Sequence, residues 1–304
     1  MSRVSLAKSG FTSRQITNAV YEALERIESQ ISQRIRSALI KVNACFYWDH
    51  STGQTTDLRV VSAIIDYLRD HYGEIDIKIG EADASVMKTR HVFRVLNYVS
   101  LAREKSVELV NLSSGKVLEK EVEVGKQILS LPFSKEIFET DFLINVPKMK
   151  THILPTISCS LKNIFGIIAE PYKYQYHSHL EETIVAANRI VRTDLTVVDG
   201  IIALGKHPIK LGLVAAGSDP LAVDFVIARI MGYDPLRIGH LSLATREKVG
   251  DFKNIEVVGE RMEVFRSIFP KRNVAFERFS FDALLRLLRL YARITGDVIP
   301  PAID

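Results

Sequence analysis

The densest set of potential ligand-binding side chains lies in residues 141–166, DFLINVPKMKTHILPTISCSLKNIFG. A short apolar strand opens this stretch, and lysines, amides and hydroxyls follow it before a glycine. The polar members are Asn145, Lys148, Lys150, Thr151, His152, Ser158, Ser160, Lys162 and Asn163. In α/β proteins ligands bind where parallel strands end, and ammonium groups with hydrogen-bond donors suit an anion. The stretch therefore predicts a site for a small anion.

Three lysines carry most of this chemistry. Lys148 and Lys150 point the same way if the backbone is extended, and Lys162 is expected to return to the same place through the fold. Neighbouring ammonium groups repel one another unless an anion or carboxylates neutralise them. We predict that all three bind phosphate or carboxylate and that Lys148 and Lys162 are catalytic, with one lysine of lowered pKa acting as a base or Schiff-base nucleophile. The alternative is that they are solvated surface lysines.

Histidines add proton-transfer and metal-binding candidates. His152 lies in the same stretch, and its ordinary pKa near ~6.5 suits a general acid or base, or else it orients a backbone carbonyl. His177 and His179 alternate in YKYQYHSHL, as two ligands of one metal ion would on an extended segment. Because no third and fourth ligand follow at a characteristic spacing, the sequence favours a solvated loop there.

Polar residues at other strand ends are expected to complete the site. Lys41, Asn43 and Cys45 alternate and therefore share one face of the first strand. Glu81 and Asp199 each follow a strand, where carboxylates contact ligand hydroxyls or metals, although either could cap the next segment. The predicted ligand-binding residues are Lys41, Asn43, Thr55, Thr56, Glu81, Asn145, Lys150, Thr151, Asn163, Asp199 and Asp224.

The segment GSDPLAVD contains residues with structural interpretations. Ser218 or Asp219 is favoured as a helix N-cap, because Pro220 follows at the first helical position. Asp224 lies one turn further in an otherwise apolar face, and a buried aspartate needs a partner. We expect that partner to be Lys148 or Lys162.

The composition predicts a soluble, well-packed protein located in a reducing cytoplasm. Of 304 residues, 47% are apolar and 25% charged, with a net charge of +4. Two cysteines are too few for a disulfide framework or an iron–sulfur cluster, and packing is favoured over catalysis for Cys159. The N-terminus lacks the apolar core of a signal peptide, and no run of ~18 apolar residues predicts a membrane span. Basic residues concentrate only in the C-terminal region, so nucleic acid is not a favoured partner.

Several common motifs are missing. The sequence holds no GxGxxG fingerprint for NAD and no phosphate-binding P-loop for ATP. It also lacks HExxH and GxSxG, so zinc-protease and serine-hydrolase interpretations have no support. No cofactor is therefore indicated by motif.

Hydrophobic periodicity predicts alternating strands and helices. Thr12 and Gln15 form a capping box, so a helix is expected to begin the fold. Strands are predicted at 38–46, 74–81, 106–112, 141–146, 195–200 and 254–260, helices at 56–72, 86–104, 180–192 and 220–231, and hairpins within 113–140 and 201–216. Strand–helix–strand order implies right-handed parallel crossovers.

The predicted fold is an α/β protein with a mainly parallel, doubly wound (Rossmann-like) sheet, helices on both faces and a C-terminal amphipathic helix. We divide the chain into an N-terminal helical segment (1–37), an α/β domain (38–260) and a helical tail (261–304). Leucines and arginines take different faces of the tail helix, which suggests docking on its own domain or on a homodimer partner.

The order and spacing of NVPKMKTH, SLKNIFG, VVDG and AAGSDPLAVDFVIARIMGYDP resemble the family called domain of unknown function 362. IKVN, Thr55–Thr56 and IGEAD resemble the opening of that family, so the likeness covers residues 38–260. The family name brings no activity with it. Many relatives carry ferredoxin-like segments with clustered cysteines, which this chain lacks, so the resemblance implies electron transfer only as the role of a partner.

Three hypotheses of function remain at this point. The leading one is an enzyme that transforms a small anionic metabolite, with Lys148, Lys150 and Lys162 binding charge and His152 moving protons. The second is a non-catalytic assembly partner of a ferredoxin-type or other metalloenzyme. The third is a nucleic-acid-associated factor that uses the basic tail, whose binding would be strongly salt-dependent.

Overall fold

The computed structural model of the protein describes residues 1–31, 35–45, 47–85 and 87–270. Its strands are β1 (Ser2–Lys8), β2 (Ser37–Val42), β3 (Asp76–Glu81), β4 (Glu108–Asn111), β5 (Val117–Val124), β6 (Gln127–Ser134), β7 (Phe142–Val146), β8 (Lys148–His152), β9 (Thr156–Ser158), β10 (Leu195–Leu204), β11 (Pro208–Gly217) and β12 (Ile255–Gly259). Its helices are α1 (Ser13–Glu25), α2 (Leu58–Tyr72), α3 (Thr89–Val95), α4 (Tyr98–Glu104), α5 (Glu136–Glu139), α6 (Ser160–Phe165), α7 (Leu180–Ile190), α8 (Pro220–Ile230), α9 (Gly239–Arg246) and α10 (Met262–Arg266).

One large sheet organises the described residues. Its main order is β12-β1-β11-β10-β7-β2-β3-β4, with β8 paired to β10 and to β9. The pairs β1–β12, β4–β3, β3–β2, β2–β7, β7–β10 and β8–β10 are parallel, and β1–β11, β10–β11 and β8–β9 are antiparallel. The prediction of a mainly parallel α/β sheet is confirmed.

Helices cover both faces of this sheet, as the doubly wound prediction requires. Successive side chains of a strand point to opposite faces. Leu39 and Leu143 accordingly join a core with α6, α7, α8 and α9, whereas Ile40 and Ile144 join a second core with α1, α2, α3 and α4. Because both faces of the sheet are buried, the central strands consist almost entirely of apolar residues. This composition allowed the strands to be predicted from the sequence.

The strand order reverses between β2 and β7. From β2 the chain moves through α2 to β3 and then to β4 at one edge of the sheet. It later returns to β7 on the other side of β2 and moves outward to β10, with α6 and α7 on the opposite face from α2. A reversal of this kind opens a crevice at the carboxyl ends of the two strands, and ligands bind there in α/β folds.

Some element predictions need correction. The prediction that a helix begins the fold is wrong, because β1 precedes α1 and lies between β11 and β12, with Val4 and Leu6 fully buried. The capping box of Thr12 and Gln15 at α1 is confirmed. The single helix predicted at 86–104 is two helices, because Asn97 adopts a left-handed conformation (φ 61°) between α3 and α4.

The predicted C-terminal amphipathic helix falls on residues 271–304, which lie outside the described residues. The hairpin predicted within 113–140 is confirmed as β5–β6, a separate two-stranded sheet. Among the residues described, no helix has both the length and the apolar character needed to cross a membrane.

Candidate functional site

A cleft of about 550 Å³ lies at the carboxyl ends of β2 and β3, beside the β8–β9 hairpin. This volume is typical of sites that hold small molecules. Its basic lining residues are Lys41, Lys150, Lys162, Lys173, His152 and His177. Within the described part of the chain, Glu81 is the one carboxylate that lines it. The cleft is therefore strongly biased towards positive charge.

Glu81 is already committed to Lys41. The Lys41 Nζ atom lies 2.6 Å from Glu81 Oε1, and both side chains are almost fully buried. Lys41 Nζ also donates to the carbonyl of Val42 (2.7 Å). The backbone N–H groups of Ala44 and Ala82 each donate to Glu81 at 2.9 Å. This buried pair joins the ends of two adjacent strands. In the part of the lining that the structure describes, no second carboxylate is left for the other cleft lysines.

Lys150 projects from β8 into the cleft and is held by neutral acceptors. Its Nζ atom donates to Asn43 Oδ1 (2.8 Å), to the carbonyl of Gln54 (2.9 Å) and to Cys45 Sγ (3.1 Å). Lys41, Asn43 and Cys45, predicted to share one face of the first strand, all line the cleft, but Asn43 and Cys45 follow the end of β2. Polar side chains after β2 thus fix the position of an ammonium group supplied by β8.

A chain of amides continues from Lys150 into the protein. Asn43 Nδ2 donates to Asn163 Oδ1 (2.9 Å), and Asn163 Nδ2 donates to Asn145 Oδ1 (2.8 Å). Asn145 Nδ2 then donates to the carbonyl and hydroxyl oxygens of Ser160 (3.0 and 3.1 Å). Every donor points away from Lys150, so each amide presents its oxygen towards the lysine side. Asn145 and Asn163 therefore support the cleft wall from behind and do not line it.

Lys162 projects from α6 and has a different environment. Its Nζ atom lies 4.0 Å from the centroid of the Phe165 ring, a cation–π distance. Burial, followed by the neighbouring Lys150 ammonium, lowers the pKa of Lys162 to about 7. A substantial fraction of this amine is therefore unprotonated at neutral pH.

The two cleft histidines are neutral at neutral pH. Burial, reinforced by Lys162 and Lys150, lowers the pKa of His152 to about 3. Its Nδ1 atom accepts a hydrogen bond from the backbone N–H of Leu154 (3.2 Å), which leaves the ring proton on Nε2. Burial also lowers the pKa of His177, whose Nδ1 lies 3.2 Å from the carbonyl of Tyr174.

His177 and His179, for which the sequence favoured a solvated loop over a metal site, lie in a 3₁₀ turn (Lys173–His179). His177 lines the cleft, whereas His179 does not and has its Nδ1 atom 3.2 Å from Gln127 Nε2. Across the described ranges, no group of three or more His, Cys, Asp or Glu side chains is placed to hold a metal ion.

Lys148 and Asp199 do not reach the cleft. Lys148 Nζ lies 2.9 Å from Asp199 Oδ2 in a fully buried ion pair. Asp199 also accepts hydrogen bonds from the backbone N–H groups of Asp57 (2.7 Å) and Ile201 (3.0 Å). Of the three lysines that were expected to lie together, Lys150 and Lys162 line the cleft. Lys148 instead forms part of the buried framework of the protein.

Asp224 does not pair with a lysine, and that prediction is wrong. Its two oxygens accept the backbone N–H groups of Ser160 (2.6 Å) and Leu161 (2.9 Å) at the start of α6. Burial raises the pKa of Asp224 to about 6. Burial and the adjacent Asp224 raise the pKa of the Cys159 thiol well above its usual value, which agrees with the packing interpretation of that cysteine.

The predicted threonines divide between framework and cleft. Thr55 donates to the carbonyl of Trp48 (2.7 Å), and Thr56 donates to the carbonyl of Val146 (2.9 Å). Neither lines the cleft. Thr151 does line it, and its hydroxyl donates to the carbonyl of Gly205 (2.9 Å).

Lys173, which was not predicted from the sequence, is buried at the start of the 3₁₀ turn and lines the cleft. Its Nζ atom donates to the backbone carbonyl of Asp83. Burial, opposed by Glu81, lowers its pKa to about 8. Its segment, PYKYQYH, resembles a solvated loop, and the only signal there is one lysine among aromatic residues.

Comparison with family models gives one match for this chain. The model of the family described as Domain of unknown function (DUF362) matches residues 38–229, more than half of the chain. A thylakoid-associated protein of Synechocystis sp. is 33% identical over 133 residues, which are 40% of this chain and 41% of that protein.

Two solved structures align with parts of this chain at 11% sequence identity. A Thermotoga maritima protein aligns with a TM-score of 0.40 over 79% of this chain and 59% of its own. The lactate racemase apoprotein of Thermoanaerobacterium thermosaccharolyticum aligns with a TM-score of 0.44 over 74% of this chain and 56% of its own. The aligned parts span less than two thirds of each of these relatives.

Proposed function

The chain belongs to the domain of unknown function 362 family, and we propose that its cleft binds and transforms a small metabolite bearing a phosphate or carboxylate group. One observation carries the proposal. Among the described residues, three of the four cleft lysines, Lys150, Lys162 and Lys173, have no carboxylate oxygen within 4.0 Å.

The ammonium groups of Lys150 and Lys173 and the protonated form of Lys162 repel one another around one cleft. A phosphate or carboxylate placed between them replaces that repulsion with charge-assisted hydrogen bonds, which are stronger than those between neutral groups. Thr151 and Ser158 add hydroxyl groups to the same lining. Met87, Leu154 and Phe165 supply apolar surface for the organic part of the ligand.

Turnover is proposed on the basis of His152 and Lys162. Both lose basicity through burial and neighbouring positive charge. A bound anion reverses part of that effect, because nearby negative charge favours the protonated forms. Binding thus brings the pKa of His152 closer to neutrality, where an imidazole is an effective proton carrier.

Anion binding is tested by native mass spectrometry of anaerobically purified protein, followed by calorimetric titration with inorganic phosphate. Lys150→Met and Lys162→Met are expected to weaken phosphate binding by about tenfold or more each, since each removes a positive charge from the cleft lining. Lys126→Met, at the exposed turn of the β5–β6 hairpin, is the matched control and is expected to bind as the wild type does.

Equal affinity in all three variants would contradict the proposal. A native mass without a small molecule, combined with a dimer or a co-purifying redox protein, would favour the assembly role instead. Folding of each variant is checked by circular dichroism, so that loss of binding is not confused with loss of structure.

A further inference from the structure

Lys162 differs from the other cleft lysines in what its amine contacts. Lys41 pairs with Glu81, Lys150 has three acceptors, and Lys173 donates to a backbone carbonyl. Within the part of the chain that is described, the Lys162 amine has neither a hydrogen-bond acceptor nor a carboxylate, and its neighbour is the face of Phe165.

We propose that Lys162 is a covalent nucleophile that forms an imine with an aldehyde or ketone group of the anionic metabolite. This proposal rests on the function proposed above and narrows the substrate class to carbonyl compounds that carry a phosphate or carboxylate. Lys150 and Lys173 then hold the anionic group, while Lys162 attacks the carbonyl carbon.

The surroundings of Lys162 favour the free amine. Among the described residues, Lys150, Lys173, His152 and His177 line the cleft together with Lys162. Burial and the positive charges of Lys150 and Lys173 lower the pKa of Lys162, whereas Cys45 opposes them. Glu81, the one carboxylate of the described lining, is paired with Lys41. Burial and then Lys162 lower the pKa of His240. His240 is fully buried, and neither ring nitrogen has a hydrogen-bond partner among the described residues. Lys162 is partly buried beside other cations, an arrangement that activates amines for Schiff-base chemistry.

The reaction balances without an oxidant or a reductant. The lone pair of the Lys162 nitrogen forms a bond to the carbonyl carbon, and the carbonyl oxygen takes up a proton to give a carbinolamine. The carbon–oxygen bond then breaks, and the oxygen leaves as water with the two protons that the amine has lost. The product is a carbon–nitrogen double bond between Lys162 and the substrate. His152 lines the same cleft and is placed to carry these protons.

Reductive trapping tests the proposal with glyoxylate as the probe and sodium cyanoborohydride as the reductant. At neutral pH we expect one carboxymethyl group per chain, located by peptide mapping at Lys162. Labelling at Lys162 should be at least about tenfold faster than at exposed Lys126, because a much larger fraction of its amine is unprotonated. Inorganic phosphate should slow the labelling at Lys162 and not at Lys126.

Lys162→Arg separates the covalent step from anion binding, since it keeps the positive charge and forms no reducible imine. This variant should bind phosphate and lose the fast label, whereas Lys126→Arg should keep both. If wild-type Lys162 reacts no faster than Lys126 while phosphate still binds, the imine proposal is overturned and the anion site stands. If phosphate binding is also absent, both proposals fall.

Discussion

Lys148 and Asp199 form a fully buried ion pair, with Nζ 2.9 Å from Oδ2. The two residues are register partners between β8 and β10. Asp199 also accepts the backbone N–H of Asp57, the N-cap residue of α2. One carboxylate therefore joins two strands and the start of a helix directly beneath the cleft, which gives Lys148 a structural position.

Replacement of Lys148 by methionine is expected to destabilise the protein by about 3–5 kcal/mol, because Asp199 would remain buried without its cation. Urea unfolding measures this difference. Lys126→Met, which removes an exposed charge, should change the free energy of unfolding by less than about 0.5 kcal/mol. Unchanged stability with loss of phosphate binding would instead place Lys148 in the site, as the sequence predicted.

The fold was predictable where burial or helix capping produces a pattern among residues that are close in sequence. The apolar runs of β2 and β7 and the capping box at Thr12 are features of neighbouring residues. β1 was missed because its partners, β11 and β12, lie about 200 residues or more away in sequence, and its own residues, SRVSLAK, carry no uniform apolar run. Pairing at such separation is not encoded in local periodicity.

The site was predictable in part for the same reason. Lys150 and Lys162 stand in one dense polar stretch, and both reach the cleft. Lys148 has the same spacing and chemistry, but the register of β8 against β10 places it opposite Asp199. Asp224 was expected to need a cation, yet two backbone N–H groups satisfy it. Which partner a buried charge finds depends on tertiary packing, which the sequence pattern does not specify.

Asp224 is expected to make stability fall as pH rises from about 4 to about 6.5. Its pKa is about 6 in the folded protein and 3.8 as the ordinary value, so the folded state holds the proton over that interval and the unfolded chain does not. Relative to Asp224→Asn, the free energy of unfolding of the wild type should fall by about 2–3 kcal/mol across this range. Urea titrations at several pH values measure the free energy of unfolding of both proteins. If the wild type does not lose stability relative to Asp224→Asn as the pH rises, the pKa of Asp224 is not raised in the folded protein.

Lys162 should react with amine reagents at lower pH than the surface lysines do. Because its pKa is about 7, acetylation by N-hydroxysuccinimidyl acetate should reach half of its limiting rate near pH 7. The rate at exposed Lys126 should still be rising above pH 9. Lys150→Met removes a neighbouring ammonium group, which raises the pKa of Lys162 and slows its labelling at pH 7. Parallel pH profiles for Lys162 and Lys126 in quantitative peptide mass spectrometry would refute this expectation.

The amide chain behind Lys150 should behave as one energetic unit. Asn163→Ala leaves Asn43 Nδ2 without its acceptor and Asn145 Oδ1 without its donor, at about 1–3 kcal/mol for each buried group. Loss of the hydrogen bond between Asn43 and Asn163 should also weaken phosphate binding, because Asn43 in turn accepts a hydrogen bond from Lys150 and orients it.

A double-mutant cycle measures whether this unit exists. Asn163→Ala and Asn145→Ala should couple by about 0.5–3 kcal/mol, because the second substitution removes a group that the first has already left unsatisfied. Asn163→Ala and Asn18→Ala are the control pair, since exposed Asn18 lies on α1 at the opposite face of the sheet, and their effects should add within about 0.5 kcal/mol. If the free-energy changes of Asn163→Ala and Asn145→Ala are as additive as those of the control pair, the amides act separately. Lys150 is then held by its direct acceptors alone.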